Sequence, residues 1–76
     1  GKIDLVFIDG NHSYEFVKSD TENALEMLSE KGVIIWHDYD YIIHKDVFRY
    51  LNKLAKTHKI YSIPHTRFAI YGRQLD

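Results

Sequence analysis

Two apolar runs that each end in a carboxylate constrain this chain more than any other feature of its sequence. The first run covers residues 3–8 and stops at Asp9, and the second covers residues 33–36 and stops at His37 and Asp38. Both runs have strand length, and their continuous apolar character is typical of strands that are covered on both faces of a parallel sheet. The sequence therefore predicts two buried neighbouring strands.

A helical pattern separates the two runs. Ser13 is a candidate N-cap, and Lys31 with Gly32 forms the expected stop signal, so the predicted helix has about five turns. A strand, a helix and a strand make a right-handed βαβ unit with parallel strands. The apolar positions at helical spacing are Tyr14, Val17, Thr21, Ala24, Leu25 and Leu28.

The rest of the chain continues the alternation of helix and strand. A second amphipathic helix is expected after residue 44, with strands at residues 60–63 and 67–71. The link between these strands is so short that an antiparallel hairpin is favoured. The predicted class is α/β.

Composition excludes several functional classes. A chain of 76 residues is one small domain or a piece of a larger one, and a formal net charge of −1 argues against nucleic-acid and anionic-membrane partners. Without cysteine there is neither a disulfide nor a thiolate metal site. The apolar runs are too short to cross a membrane and no signal peptide is recognisable, so we expect a cytoplasmic protein.

The polar residues at the strand ends are the candidate site. Asp9 and Asp38 would end neighbouring parallel strands about 4.8 Å apart, where α/β folds bind ligands, so both carboxylates can reach one cation such as Mg²⁺. His12 is the candidate general base. Simpler readings stay open, because Asp9 suits a turn and His12 the start of a helix.

Two residues beside Asp38 are candidates for a substrate pocket. His37 either lines that pocket or packs beside Trp36. Tyr39 begins a loop rich in tyrosine and isoleucine, which either lines a pocket or covers an edge of the core.

The segments FIDGNHSYEFVKSD and LSEKGVIIWHDY resemble the C-terminal half of a class I S-adenosylmethionine-dependent methyltransferase. The similarity is greatest to the branch with the macrocin-type sugar O-methyltransferases and the cephalosporin hydroxylase-like proteins. It implies a partial Rossmann-like fold with strands in the order 4-5-7-6, two helices and an antiparallel last strand. Residues 1–76 would then be the C-terminal portion of a single domain.

The resemblance also implies roles for individual residues. Asp9 and Asp38 match metal-binding aspartates, and His12 matches the catalytic base. Tyr39 stands where catechol-type relatives have a metal-binding asparagine. The glycine-rich loop and the acidic residue that bind S-adenosylmethionine in the family have no counterpart in these 76 residues, so the cofactor site needs the missing half, and the acceptor is expected to be a small-molecule or sugar hydroxyl.

Two other functions fit the same sequence features. Asp9, His12, His37 and Asp38 together would suit a transition metal that activates water for hydrolysis. Alternatively the chain is a non-catalytic module, in which the first strand forms an exposed apolar edge and pairs with another copy to give a homo-oligomer.

Overall fold

The computed structural model describes residues 1–9, 13–37, 39 and 45–75 of the chain. Strands and helices alternate through its first part, and two short strands close it, which confirms the α/β class. The elements are β1 (Ile3–Ile8), α1 (Tyr14–Met27), β2 (Leu28–Trp36), α2 (Lys45–Leu54), β3 (Tyr61–Ser62) and β4 (Ala69–Gly72).

The four strands form one mixed sheet in the order β1-β2-β4-β3. β1 and β2 are parallel, as expected for a βαβ unit, and the register pairs Val6 with Ile34 and Ile8 with Trp36. β4 runs antiparallel to both β2 and β3. The expected hairpin between the last two strands is therefore confirmed.

One face of the sheet carries the core. Both helices contribute to a single apolar cluster with the inward-facing strand residues, and Trp36 at its centre is 1% exposed. Neither helix in the described part of the chain is long and apolar enough to span a membrane. The buried apolar residues are Ile8, Val17, Ala24, Leu28, Ile34, Trp36, Val47, Tyr50, Leu51 and Ala69.

The opposite face of the sheet differs from the prediction. Continuous apolar runs predicted strands covered on both faces, but Leu5 and Phe7 of β1 are exposed. Both helices of the described chain pack on the side of Ile8 and Trp36, and this leaves the alternate positions of β1 open. The apolar run predicted the strand correctly, but its prediction that both faces of the strand are covered was wrong for Leu5 and Phe7.

The end of α1 also differs from the prediction, since the helix stops at Met27 rather than near Lys31. Leu28 has an extended backbone, is buried in the core and pairs with Ile3, so β2 begins directly after the helix. The register then shifts before Leu5 pairs with Val33, so β2 contains extra residues between these two pairs. Burial of Leu28 and strand pairing override the local stop signal.

Candidate functional site

Asp9 and His37 lie together at the carboxyl ends of the parallel strands. The backbone N–H of His37, the residue after β2, donates a 3.1 Å hydrogen bond to the carbonyl of Ile8, the last residue of β1. This bond sets the two side chains next to each other at the edge where open α/β sheets bind ligands. The parallel register thus assembles part of the predicted site.

The two side chains make a direct polar contact. Nδ1 of His37 lies 3.2 Å from Oδ1 of Asp9, and Nδ1 is shielded from solvent. The His37 side chain as a whole is 34% exposed and that of Asp9 45%, so both can meet a ligand. The contact places a carboxylate and an imidazole side by side at the strand ends.

Two phenylalanines flank the His37 ring. Phe7 of β1 stacks against it with ring centroids 6.4 Å apart, and Phe68 lies 5.1 Å away at a tilt of 57°. Phe7 and Phe68 also meet edge to face at 6.1 Å. The site therefore combines one carboxylate, one imidazole and an apolar aromatic wall.

The second predicted pocket residue, Tyr39, has different neighbours. Its ring stacks on Phe48 of α2 with centroids 5.1 Å apart, and its backbone N–H donates to the carbonyl of Arg67 at 2.9 Å. The tyrosine ring is partly buried against the core. His37 and Tyr39 thus border different surroundings, one beside Phe7 and the other beside α2.

The other predicted site residues, His12 and Asp38, lie outside the described residues, and so does Gly10. Within the described ranges no group of three or more histidine, aspartate or glutamate side chains is arranged to hold a metal ion. Of the four residues considered for water activation, Asp9 and His37 are brought together.

A groove of about 510 Å³ runs from Asp9 along the outer side of β1. The exposed polar side chains of Asp20 and Asn23 line its other wall on α1, together with Met27. Asp20, Asn23 and Met27 follow one another at intervals of three and four residues, so they lie on the same face of α1. This spacing can be recognised in the sequence. Phe68 had no such signal, because only the pairing of Trp36 with Ala69 brings it to His37.

Comparison with known proteins identifies the family. The sequence profile of a family described as a methyltransferase domain matches residues 1–39, which include β1, α1, β2, Asp9 and His37. The chain is also 34% identical over 64 residues to the uncharacterized protein y4gI of Sinorhizobium fredii (strain NBRC 101917 / NGR234). That alignment covers 83% of this chain and 7% of the relative, so the chain spans only a small part of the relative's length.

No solved structure gives a significant match to the chain. The profile match covers just over half of the 76 residues, with both strand ends of the candidate site inside it. This chain belongs to the methyltransferase-domain family.

Proposed function

We propose that the chain is the acceptor-binding, C-terminal portion of an S-adenosylmethionine-dependent O-methyltransferase domain that acts on a small-molecule or sugar hydroxyl. The contact between Asp9 and His37 carries the proposal, because it joins two polar side chains where α/β folds bind ligands. Family membership supports the reaction class.

The sheet supports the assignment to one half of a methyltransferase domain. The order β1-β2-β4-β3, with β4 antiparallel to its neighbours, is the order expected for strands 4-5-7-6 of that fold. The proposal assigns the cofactor site to residues outside these 76, because the chain offers no glycine-rich loop of the family's kind.

Each candidate residue has a role in this proposal. S-adenosylmethionine supplies an electrophilic methyl group when bound. His12 takes the proton from the acceptor hydroxyl while the hydroxyl oxygen bonds to the methyl carbon and the bond between that carbon and the sulfonium sulfur breaks, so S-adenosylhomocysteine is the leaving group. His37, in contact with Asp9, and Tyr39 border the acceptor, and the half-exposed ring of Phe7 offers it an apolar surface.

Asp9 and Asp38 are predicted to bind a divalent cation. Mg²⁺ prefers about six oxygen ligands, and the described chain offers one carboxylate, Asp9, next to one imidazole, His37. These two groups alone do not fit a magnesium site.

Calorimetric titration of the 76-residue chain tests both binding claims. We expect no binding of S-adenosylmethionine and weak binding of Mg²⁺ that Asp9→Asn abolishes. Asp4→Asn is the matched control, because Asp4 lies near the opposite end of the same strand and contacts Ser29. Cofactor binding by this chain alone, or equal Mg²⁺ binding by the two variants, would contradict the proposal.

Turnover by the polypeptide that carries these residues tests the catalytic role. His12→Ala should lower kcat by about 10²–10⁴-fold, as expected for the loss of a general base. His37→Ala should mainly raise KM for the acceptor. His65→Ala, at an exposed position of the β3–β4 link, is the control and should leave both constants unchanged. Unchanged turnover in His12→Ala would remove the proposed base.

Metal-assisted hydrolysis is the second candidate function, and the Asp9–His37 contact favours it as well, since it brings together two of the four residues. Metal preference separates the two functions. Tight zinc binding that requires His37 would indicate hydrolysis, whereas weak magnesium binding that survives His37→Ala would indicate the methyltransferase.

A further inference from the structure

The β3–β4 link, residues 63–68, lies beside the strand ends that carry the candidate site. Trp36, the last residue of β2, pairs with Ala69, the first residue of β4. Because the two strands are antiparallel, the residues that precede Ala69 run alongside those that follow Trp36. The link therefore reaches the same edge of the sheet as Asp9 and His37.

Two contacts join the β3–β4 link to the residues after β2. The carbonyl of Arg67 accepts a 2.9 Å hydrogen bond from the backbone N–H of Tyr39. The ring of Phe68 lies 5.1 Å from the ring of His37 and is tilted by 57° against it. Consecutive residues of the link thus contact both His37 and Tyr39, the two residues proposed to border the acceptor.

The hydroxyl group of Thr66 connects the two ends of the link. Its Oγ1 donates a 2.7 Å hydrogen bond to the carbonyl of Ile63 and accepts one of 3.1 Å from the backbone N–H of Phe68. The backbone N–H of Ile63 also donates to the carbonyl of Phe68 at 3.0 Å. The side chain of Thr66 therefore helps to fix the backbone that carries the Phe68 ring.

Backbone strain makes the link dependent on these hydrogen bonds. His65 has a φ of 65°, in the left-handed region that is unfavourable for residues with a Cβ atom. Pro64 before it and the 3.2 Å backbone hydrogen bond from Thr66 to Ile63 are typical of a type II turn. Such a turn prefers glycine where this chain has histidine. Loss of the Thr66 hydroxyl should therefore alter the path of the link.

We infer that Thr66 is a positioning residue for the acceptor site, because its hydroxyl holds Phe68 against His37. Without the hydroxyl, the N–H of Phe68 loses its acceptor and the ring can turn away from the imidazole. Acceptor binding then weakens, while proton removal by His12 is unaffected. The inference rests on the proposed function, in which His37 borders the acceptor.

Nuclear magnetic resonance of the 76-residue chain tests this chain of contacts without cofactor or acceptor. The ring current of Phe68 shifts the ring-proton resonances of His37, so a displaced Phe68 ring changes them. Thr66→Val keeps the size of the side chain but removes the hydroxyl, and it should move the His37 resonances. Thr66→Ser keeps the hydroxyl and should leave them at their original positions.

Thr57→Val is the matched control. Thr57 is also exposed, and its hydroxyl also donates to a carbonyl three residues earlier, that of Leu54. Its Oγ1 lies 2.8 Å from Nδ1 of His58, so the substitution should move the His58 resonances and leave those of His37 unchanged. Unchanged His37 resonances in Thr66→Val would overturn the inference.

Acceptor kinetics of the polypeptide that carries these residues test the consequence for binding. Thr66→Val should raise KM for the acceptor about three- to tenfold, the size expected for the loss of one neutral hydrogen bond, and leave kcat unchanged. Thr66→Ser should restore the original KM. Because the effect passes through Phe68, Thr66→Val should raise KM no further in a Phe68→Ala background.

His37→Ala separates this inference from the proposed function. A higher KM in His37→Ala with an unchanged KM in Thr66→Val would overturn the role of Thr66 and leave the acceptor site intact. An unchanged KM in both variants would remove His37 from the acceptor site and overturn both proposals. A KM that rises equally in Thr66→Val and Thr66→Ser would show that the hydroxyl has no such role.

Discussion

The backbone N–H of Tyr14 donates a 3.2 Å hydrogen bond to Oδ2 of Asp46, so the first turn of α2 caps the first turn of α1. Ser13 occupies the predicted N-cap position, but its side chain makes no capping hydrogen bond. Arg49 reinforces the junction, because its guanidinium lies 3.6 Å from Asp46 and 4.4 Å from the centre of the Tyr14 ring. This junction anchors the helix that follows Asp9.

Removal of the Asp46 carboxylate should weaken this junction. Asp46→Ala leaves an orphan N–H at the start of α1, and we expect it to lower the free energy of unfolding by about 1 kcal/mol. Asp46→Asn keeps an acceptor oxygen and should lose less. Urea denaturation measures both values. Glu26→Ala, at an exposed site on α1, is the control and should change stability by less than about 0.5 kcal/mol.

The buried hydrogen bond between Trp36 and Thr21 should contribute more to the free energy of unfolding than the Asp46 junction does. Nε1 of Trp36 donates to Oγ1 of Thr21 at 2.9 Å, and Thr21 is fully buried. Thr21→Val leaves the indole N–H without its acceptor and should cost about 1–3 kcal/mol. Thr21→Ser keeps the acceptor and serves as the comparison. Trp36 is the only tryptophan, so its fluorescence reports unfolding directly, and equal stability of the two variants would contradict this account.

Gly32 is required by a close approach within β2. A Cβ added there would lie 2.4 Å from Cγ of Leu28 and 3.0 Å from the carbonyl oxygen of Ile3. Gly32→Ala should therefore destabilise the fold by about 1–3 kcal/mol through overpacking. In a double-mutant cycle, the variant with both Gly32→Ala and Leu28→Ala should lose less stability than the two single variants lose together, because Leu28→Ala removes the clash. Strict additivity would indicate another cause.

Tyr50 should make stability fall at high pH. Burial, followed by the charge of Glu22 and the neighbouring Tyr14, raises the pKa of Tyr50 above its ordinary value of 10.0. The unfolded chain therefore ionises first, so the contribution of Tyr50 is complete below pH 10 and is lost as pH rises toward the higher pKa of the folded state. Denaturation between pH 9 and 11 should show a smaller loss in Tyr50→Phe. Tyr61→Phe, at an exposed position, should keep the full loss.

The candidate site was predictable in part, because periodicity identifies strand ends but not side-chain neighbours. Asp9 and His37 were both placed at strand ends, yet their contact depends on the parallel register. The environment of His37 depends on Phe68, which directly precedes the antiparallel strand β4 and lies 31 residues later in the chain. A pattern read along the chain contains no information on such a pairing.

By itself the sequence determined the alternation of strands and helices, the parallel βαβ unit and the location of the polar strand ends. These follow from local periodicity, since period 2 and period 3.6 leave different apolar patterns. The tertiary structure alone decided that α1 stops before Leu28, that Asp46 caps α1 and that Leu5 and Phe7 of β1 are exposed within the described part of the chain. Each of these results depends on the free energy of packing distant segments together, and this energy can exceed the fraction of a kcal/mol by which a single residue prefers helix or strand.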